Sequence, residues 1–158
     1  MIGQTTAVIA KIESNQNGKT LNVASIGDSR LYLARNNQLY QLTRDDNITE
    51  KMLDDIKITD QAQRKQLLAH GISKCLGDKE PTSSKVCSDG NYASYKLEDG
   101  DRIMLCSDGV TGDTEKDYIY PAEIQQILTN NPDDQSAAQA LVKSARKTDD
   151  RTAIVITV

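Results

Sequence analysis

The chain has 158 residues, a net charge of −4, 37% hydrophobic and 27% charged residues, and six tyrosines but no phenylalanine or tryptophan. That length suits one domain (1–158) with a core of Leu, Ile, Val and Ala. The acidic balance argues against a nucleic-acid surface, and no apolar run approaches the roughly 18 residues of a membrane span, so neither partner is expected.

The three cysteines, Cys75, Cys87 and Cys106, have neither disulfide-framework nor zinc-site spacing. Free thiols in a cytoplasmic protein are expected. In chain order, "TTAVIAKI" (5–12) and "TLNVASIG" (20–27) read as strands joined by the turn-like "SNQNGK", and "RLYLAR" (30–35) and "QLYQLT" (38–43) as a hairpin closed by "NN". Leu39 is out of phase with Leu42, which suggests a bulge. From Asp45 to about Glu80 the composition turns polar, with "TEKMLDDI" and "TDQAQRKQLLAH" each opening on a threonine N-cap. This stretch is expected to be a partly helical excursion from the sheet.

"YASYKL" (92–97), the turn "EDGD" and "RIMLCS" (102–107) read as a second hairpin. "PAEIQQILTN" starts a helix near Pro121 with Ile124, Ile127 and Leu128 on one face, and "DQSAAQALVKSARK" aligns Ala138, Leu141, Val142 and Ala145 at helical spacing. "TAIVITV" (152–158) closes the chain as a strand. Strands, then helices, then a returning strand indicate α+β with antiparallel sheets covered by helices.

Three aspartates leave strands in the same way: Asp28 after "LNVASIG", Asp108 after "RIMLCS", and Asp149 just before "TAIVITV". They read either as independent turn residues or as a cluster, and converging carboxylates need a cation between them. Oxygen ligands without His or thiolate select Mg²⁺ or Mn²⁺ over Zn²⁺. "DGDRIMLCSDGV" is not a calcium loop, because Met104 and Val110 stand where Gly and Glu are required. P-loop, dinucleotide-binding and serine-hydrolase motifs are absent. His70, the one histidine, reads as a solvated helix-end residue.

In order, "GQTTAVIA", "VASIGDSRLYL", "LTRDDN", "KCLGD", "EDGDRIMLCSDGVTGD" and "DDRTAIVITV" resemble the successive motifs of the PP2C-type (PPM) metal-dependent serine/threonine protein phosphatases. The resemblance implies a sandwich of two antiparallel β-sheets flanked by helices, with metals at one end. It also implies a phosphoprotein substrate and a metal-bound water in place of a protein nucleophile. Residue by residue, Asp108 of "SDG" and Asp149 of "DDRT" match two metal-binding aspartates, and Asp28 of "GDSR" matches one of a third, weaker site. Arg30 reads as structural.

The sequence departs from the family where an acid often stands four residues after the "SDG" aspartate. Here that position is Gly112, and Asp113 falls one place late. Asp46 replaces a frequent histidine. The family's phosphate-gripping arginine and its Asp-Gly-x-Gly-Gly motif, whose aspartate bridges two metals, precede "G-x-T-T" and have no counterpart here, so the resemblance covers a domain truncated at its N-terminal third. Three readings follow: a fragment of a phosphatase with weak or no metal binding and no activity alone, a non-catalytic phosphatase-like binding or regulatory module, or an assembly completed by another chain. A lone copy is expected to be marginally stable, with its open sheet edge covered in a homodimer or by exchanged elements.

Overall fold

Period-two apolar runs and two tight turns build the first four strands. The structure, a computed structural model, describes residues 3–77 and 91–158, so Cys87 and the last residue of "KCLGD" lie outside the described residues. Strand β1 (Ala7–Asn15) pairs antiparallel with β2 (Gly18–Ile26), the turn between them leading into Gly18 at φ 113°. Strand β3 (Arg30–Arg35) pairs with β4 (Gln38–Gln41) through Asn36 and Asn37, both at positive φ (50° and 60°). Two consecutive positive φ values match the twist of a hairpin, and asparagine tolerates them better than most residues.

Helices α1 (Glu50–Asp55) and α2 (Gln61–His70) follow. Thr49 caps α1 as expected, but Asp60, not Thr59, caps α2, because its carboxylate accepts from the Gln63 N–H at 2.7 Å. Strands β5 (Tyr92–Leu97) and β6 (Arg102–Cys106), the short helix α3 (Asp108–Thr111), helices α4 (Pro121–Asn130) and α5 (Asp134–Ser144) and strand β7 (Ala153–Thr157) complete the described elements.

Two antiparallel sheets result, one ordered β1-β2-β5 and the other β4-β3-β6-β7. This is the expected α+β sandwich, with one correction: β5 and β6 do not form a hairpin. Strand β5 pairs with β2 and β6 with β3 and β7, so "EDGD" carries the chain from one sheet to the other. Gly100, at φ 89°, makes that sharp turn, while the Asp101 carboxylate accepts from the Glu98 N–H and from Arg35 at the end of β3.

Each face of the four-stranded sheet is buried. Leu31, Leu33, Ile103 and Leu105 meet Leu21, Val23 and Leu97 of the other sheet, while Tyr32, Ala34, Met104, Cys106 and Val155 pack under Ile124 and Leu128 of α4 and Ala137 and Leu141 of α5. The Leu39 and Leu42 phase difference is therefore not a bulge. Leu39 faces the helices and Leu42 the other sheet, and the ladder from Arg35↔Gln38 to Tyr32↔Gln41 is continuous. Tyr32, 2% exposed, is a large anchor that a purely aliphatic core would lack. Helix α5 turns Ala137 and Leu141 fully inward, with Ala138 and Val142 at the flank.

Arg102 fastens helices to sheet. Its guanidinium donates to the carbonyls of Leu128 (2.5 Å) and Asn131 (2.9 Å) at the end of α4 and to Asp134 (3.0 Å) at the start of α5. These bonds satisfy carbonyls that a helix C-terminus otherwise leaves open.

Candidate functional site

The exits of β2 and β6 and the entry to β7 lie at one end of the sandwich, and close backbone packing holds them together. A Cβ on Gly109 would come 2.0 Å from the Asp150 carbonyl oxygen, so glycine lets the start of α3 sit directly on the loop before β7. The Ser107 N–H donates to the Thr152 carbonyl (3.1 Å), and the Thr152 N–H donates to the Ser107 hydroxyl (3.1 Å). On the β2 side, a Cβ on Gly27 (φ 99°) would strike Thr6 at 2.3 Å, and the Gly27 N–H donates to the buried Asp46 carboxylate at 3.0 Å.

Two of the three aspartates singled out from sequence, Asp108 and Asp149, meet at this end around Lys147, which the sequence did not single out. The Lys147 ammonium bonds the Asp108 carboxylate, lies 3.1 Å from Asp149 Oδ2 and lies 3.3 Å from Asp113 Oδ2. The Lys147 side chain is 15% exposed, against 27% for Asp108, 17% for Asp113 and 47% for Asp149. Burial works against the charged ammonium, but its bonds to Asp108 and Asp149 outweigh that and hold its pKa above the ordinary lysine value. The same contact holds the Asp149 carboxyl below the usual carboxylate range.

Asp28 stands beside this trio. Burial, and then the charge of Asp108, push its pKa up. His70 is half exposed at the end of α2, as expected of a helix-end histidine, yet it has a partner: its Nδ1 lies 2.8 Å from Asp113 Oδ2. Asp113, the acid one place late in sequence, thus joins Lys147 to His70. Its other oxygen, Oδ1, is buried with no hydrogen-bond partner among the described residues.

Arg30 is structural, as expected. Its guanidinium forks onto Asp45 (2.6 to 3.1 Å) and lies 5.9 Å from the centre of the Tyr118 ring.

The family profile named Protein phosphatase 2C matches residues 2–52. Serine/threonine protein phosphatase PstP of Mycobacterium tuberculosis is 31% identical over 107 residues, covering 66% of this chain and 19% of that protein. Protein phosphatase PhpP of Streptococcus pneumoniae is 27% identical over 144 residues, covering 91% of this chain and 52% of that protein. The catalytic domain of PstP solved with two manganese ions superposes with a TM-score of 0.58 at 26% identity, covering 95% of this chain and 57% of that structure. The chain is similar to phosphatases of the protein phosphatase 2C family. It spans about half the length of PhpP and a fifth of PstP.

The similarity to metal-dependent phosphatases implies a metal. A divalent ion between Asp108, Asp113 and Asp149 would need the position that the Lys147 ammonium holds. Among the described residues, no group of three or more His, Cys, Asp or Glu side chains is arranged to hold a metal ion. In this structure the cluster fits a lysine and does not fit a divalent cation. Also among the described residues, no helix is long and apolar enough to cross a membrane.

Proposed function

We propose that this chain is part of a metal-dependent phosphatase acting on phosphoserine and phosphothreonine in proteins, with Mn²⁺ or Mg²⁺ as the cofactor of the whole enzyme. The 158 residues by themselves hydrolyse phosphoesters little or not at all. The observation that carries this reading is the convergence of Asp108 and Asp149, with Asp28 beside them, at the end of a PP2C-family sandwich. Manganese in the PstP neighbour supports the choice of metal. No Asp-Gly-x-Gly-Gly sequence occurs in the 158 residues, so the bridging carboxylate has no counterpart. Losing a ligand costs a metal centre more than the roughly 10- to 100-fold typical of residues behind the ligands.

A phosphopeptide assay on the purified chain with Mn²⁺ tests this. Phosphate release at background level is expected. Robust release that Asp108→Ala abolishes would sink the inactive reading.

The second reading, a non-catalytic phosphatase-like module, is favoured by the lysine at the centre of the acidic cluster. Either reading is accompanied by self-association, since β1 and β7 are both edge strands and apolar side chains lie open beside them. The free thiols of Cys75 and Cys106 suit a cytoplasmic location.

A further inference from the structure

We infer that Lys147 is the resident cation of the acidic cluster, supplying the positive charge that Asp108, Asp113 and Asp149 require and keeping a divalent ion off them. The inference rests on reading Asp108 and Asp149 as the metal-facing carboxylates of the proposed function.

Three observations support it. A lysine ammonium has three N–H donors and no acceptor, and three carboxylates surround it, so one donor is available to each. The lysine is also held from its backbone. On one side Arg146 is locked by Glu123 (2.5 Å) and the Tyr118 carbonyl (2.6 Å). On the other, Arg151 donates to the Lys147 carbonyl itself at 2.7 Å. With Arg146 and the Lys147 carbonyl both anchored, the Lys147 side chain is directed inward from a loop that otherwise carries exposed basic and acidic groups. Finally, the cluster keeps spare acceptor capacity in the buried Oδ1 of Asp113. That oxygen could serve a cation of higher charge, but the ammonium does not reach it.

The consequence is competition for one position. A divalent ion entering beside Lys147 would meet its positive charge at contact distance in a partly desolvated place, where like charges are strongly unfavourable. To bind, it must first expel a tethered ammonium from three carboxylates.

The test is direct Mn²⁺ binding by calorimetry and electron paramagnetic resonance on the full chain, with no phosphoester present, so its outcome is independent of phosphatase activity. Lys147→Gln is expected to bind Mn²⁺ at least tenfold more tightly than the native chain. Lys147→Arg, which keeps the charge, should bind as weakly as native. Adding Asp108→Asn to Lys147→Gln should abolish the gain and so locate it. Equal binding by native and Lys147→Gln, whether tight or absent, overturns the inference. If Lys147→Gln is unfolded without metal, millimolar Mn²⁺ must restore its circular dichroism and melting transition. A variant that stays unfolded with Mn²⁺ also overturns it, because the lysine would then not be acting as a replaceable cation.

Discussion

Asp46 is 8% exposed and organises the site end without belonging to the cluster. Its carboxylate accepts from the Gly27 N–H at 3.0 Å and from the Asn91 side-chain amide at 3.0 and 3.2 Å, with the Lys74 ammonium 3.7 Å away. Its main chain bonds Gly27 and Ser73. One residue thereby ties the exit of β2, where Asp28 sits, to the segment after α2 and to the start of β5. Asp46→Ala would strand at least two buried donors, and each costs about 1 to 3 kcal/mol when left unpaired. The expected loss is about 2 to 6 kcal/mol of unfolding free energy by urea denaturation. A loss below about 0.5 kcal/mol would show that water replaces the carboxylate.

At this scale the sequence was informative where chemistry and position coincide. Asp28, Asp108 and Asp149 could be found because each marks the end of a strand-like run. Lys147 could not, because in "SARKTDD" a lysine reads as one more solvated charge, and spacing does not give the direction of a loop side chain. Asp113 was visible only as an acid out of register.

Between elements, the turn from β5 to β6 shows why a local pattern can name the wrong partner. Two strands four residues apart ordinarily pair, but both apolar ends here, Leu97 and Ile103, belong to the interface between sheets. Crossing over buries both, and the Asp101 bonds to Arg35 (2.5 and 2.7 Å) pin the crossover. Burial alone would raise the Asp101 pKa, but Arg35 and the Glu98 N–H outweigh it and hold the carboxyl below its usual range. The unfolded chain therefore binds the proton more readily, so this group's contribution is complete above the unfolded value near 3.9 and disappears as pH falls through the lower folded value. Asp101→Asn should destabilise the chain at pH 7, with the difference from native shrinking as pH drops below about 4. A difference that stays constant across that range would rule out the ion pair as its source.

Burial also separates the helices. Leu53 is the one buried residue of α1 and α2 has none, whereas Tyr32, Leu31, Ile103 and Met104 in β3 and β6 are essentially inaccessible. Amide exchange should therefore be fast in α2 through local opening and slowest in β3 and β6, close to global unfolding. Exchange of α2 at the rate of β3 would mean that the polar excursion folds as one unit with the sandwich. That excursion was legible from composition, because thin apolar faces are visible in a sequence, whereas the two-sided burial behind the Leu39 and Leu42 phases needed the second sheet to be seen.

For the whole molecule, the decisive residue is Ile154. Its ladder partner is Leu105, which lies in the interface between the sheets, yet Ile154 itself is 50% exposed. The reason is that the three-stranded sheet stops short of β7. An apolar slot of about 360 Å³, lined by Ala7, Val8, Leu105 and Ile154 among others, opens between the β1 and β7 edges. Both edges face the same side, so added backbone could pair with each while its side chains filled the slot, and open edges are a common route to association between copies. Burying one isoleucine fully contributes about 1.5 to 3 kcal/mol, a large fraction of a domain's stability of about 5 to 15 kcal/mol. Light scattering at micromolar concentration should therefore give twice the chain mass for the native protein. Ile154→Lys, which places a charge in the slot, should give a folded monomer with an unchanged far-ultraviolet circular dichroism spectrum. A native chain that scatters as a stable monomer would refute self-association, and an Ile154→Lys variant that remains dimeric would move the contact away from this edge.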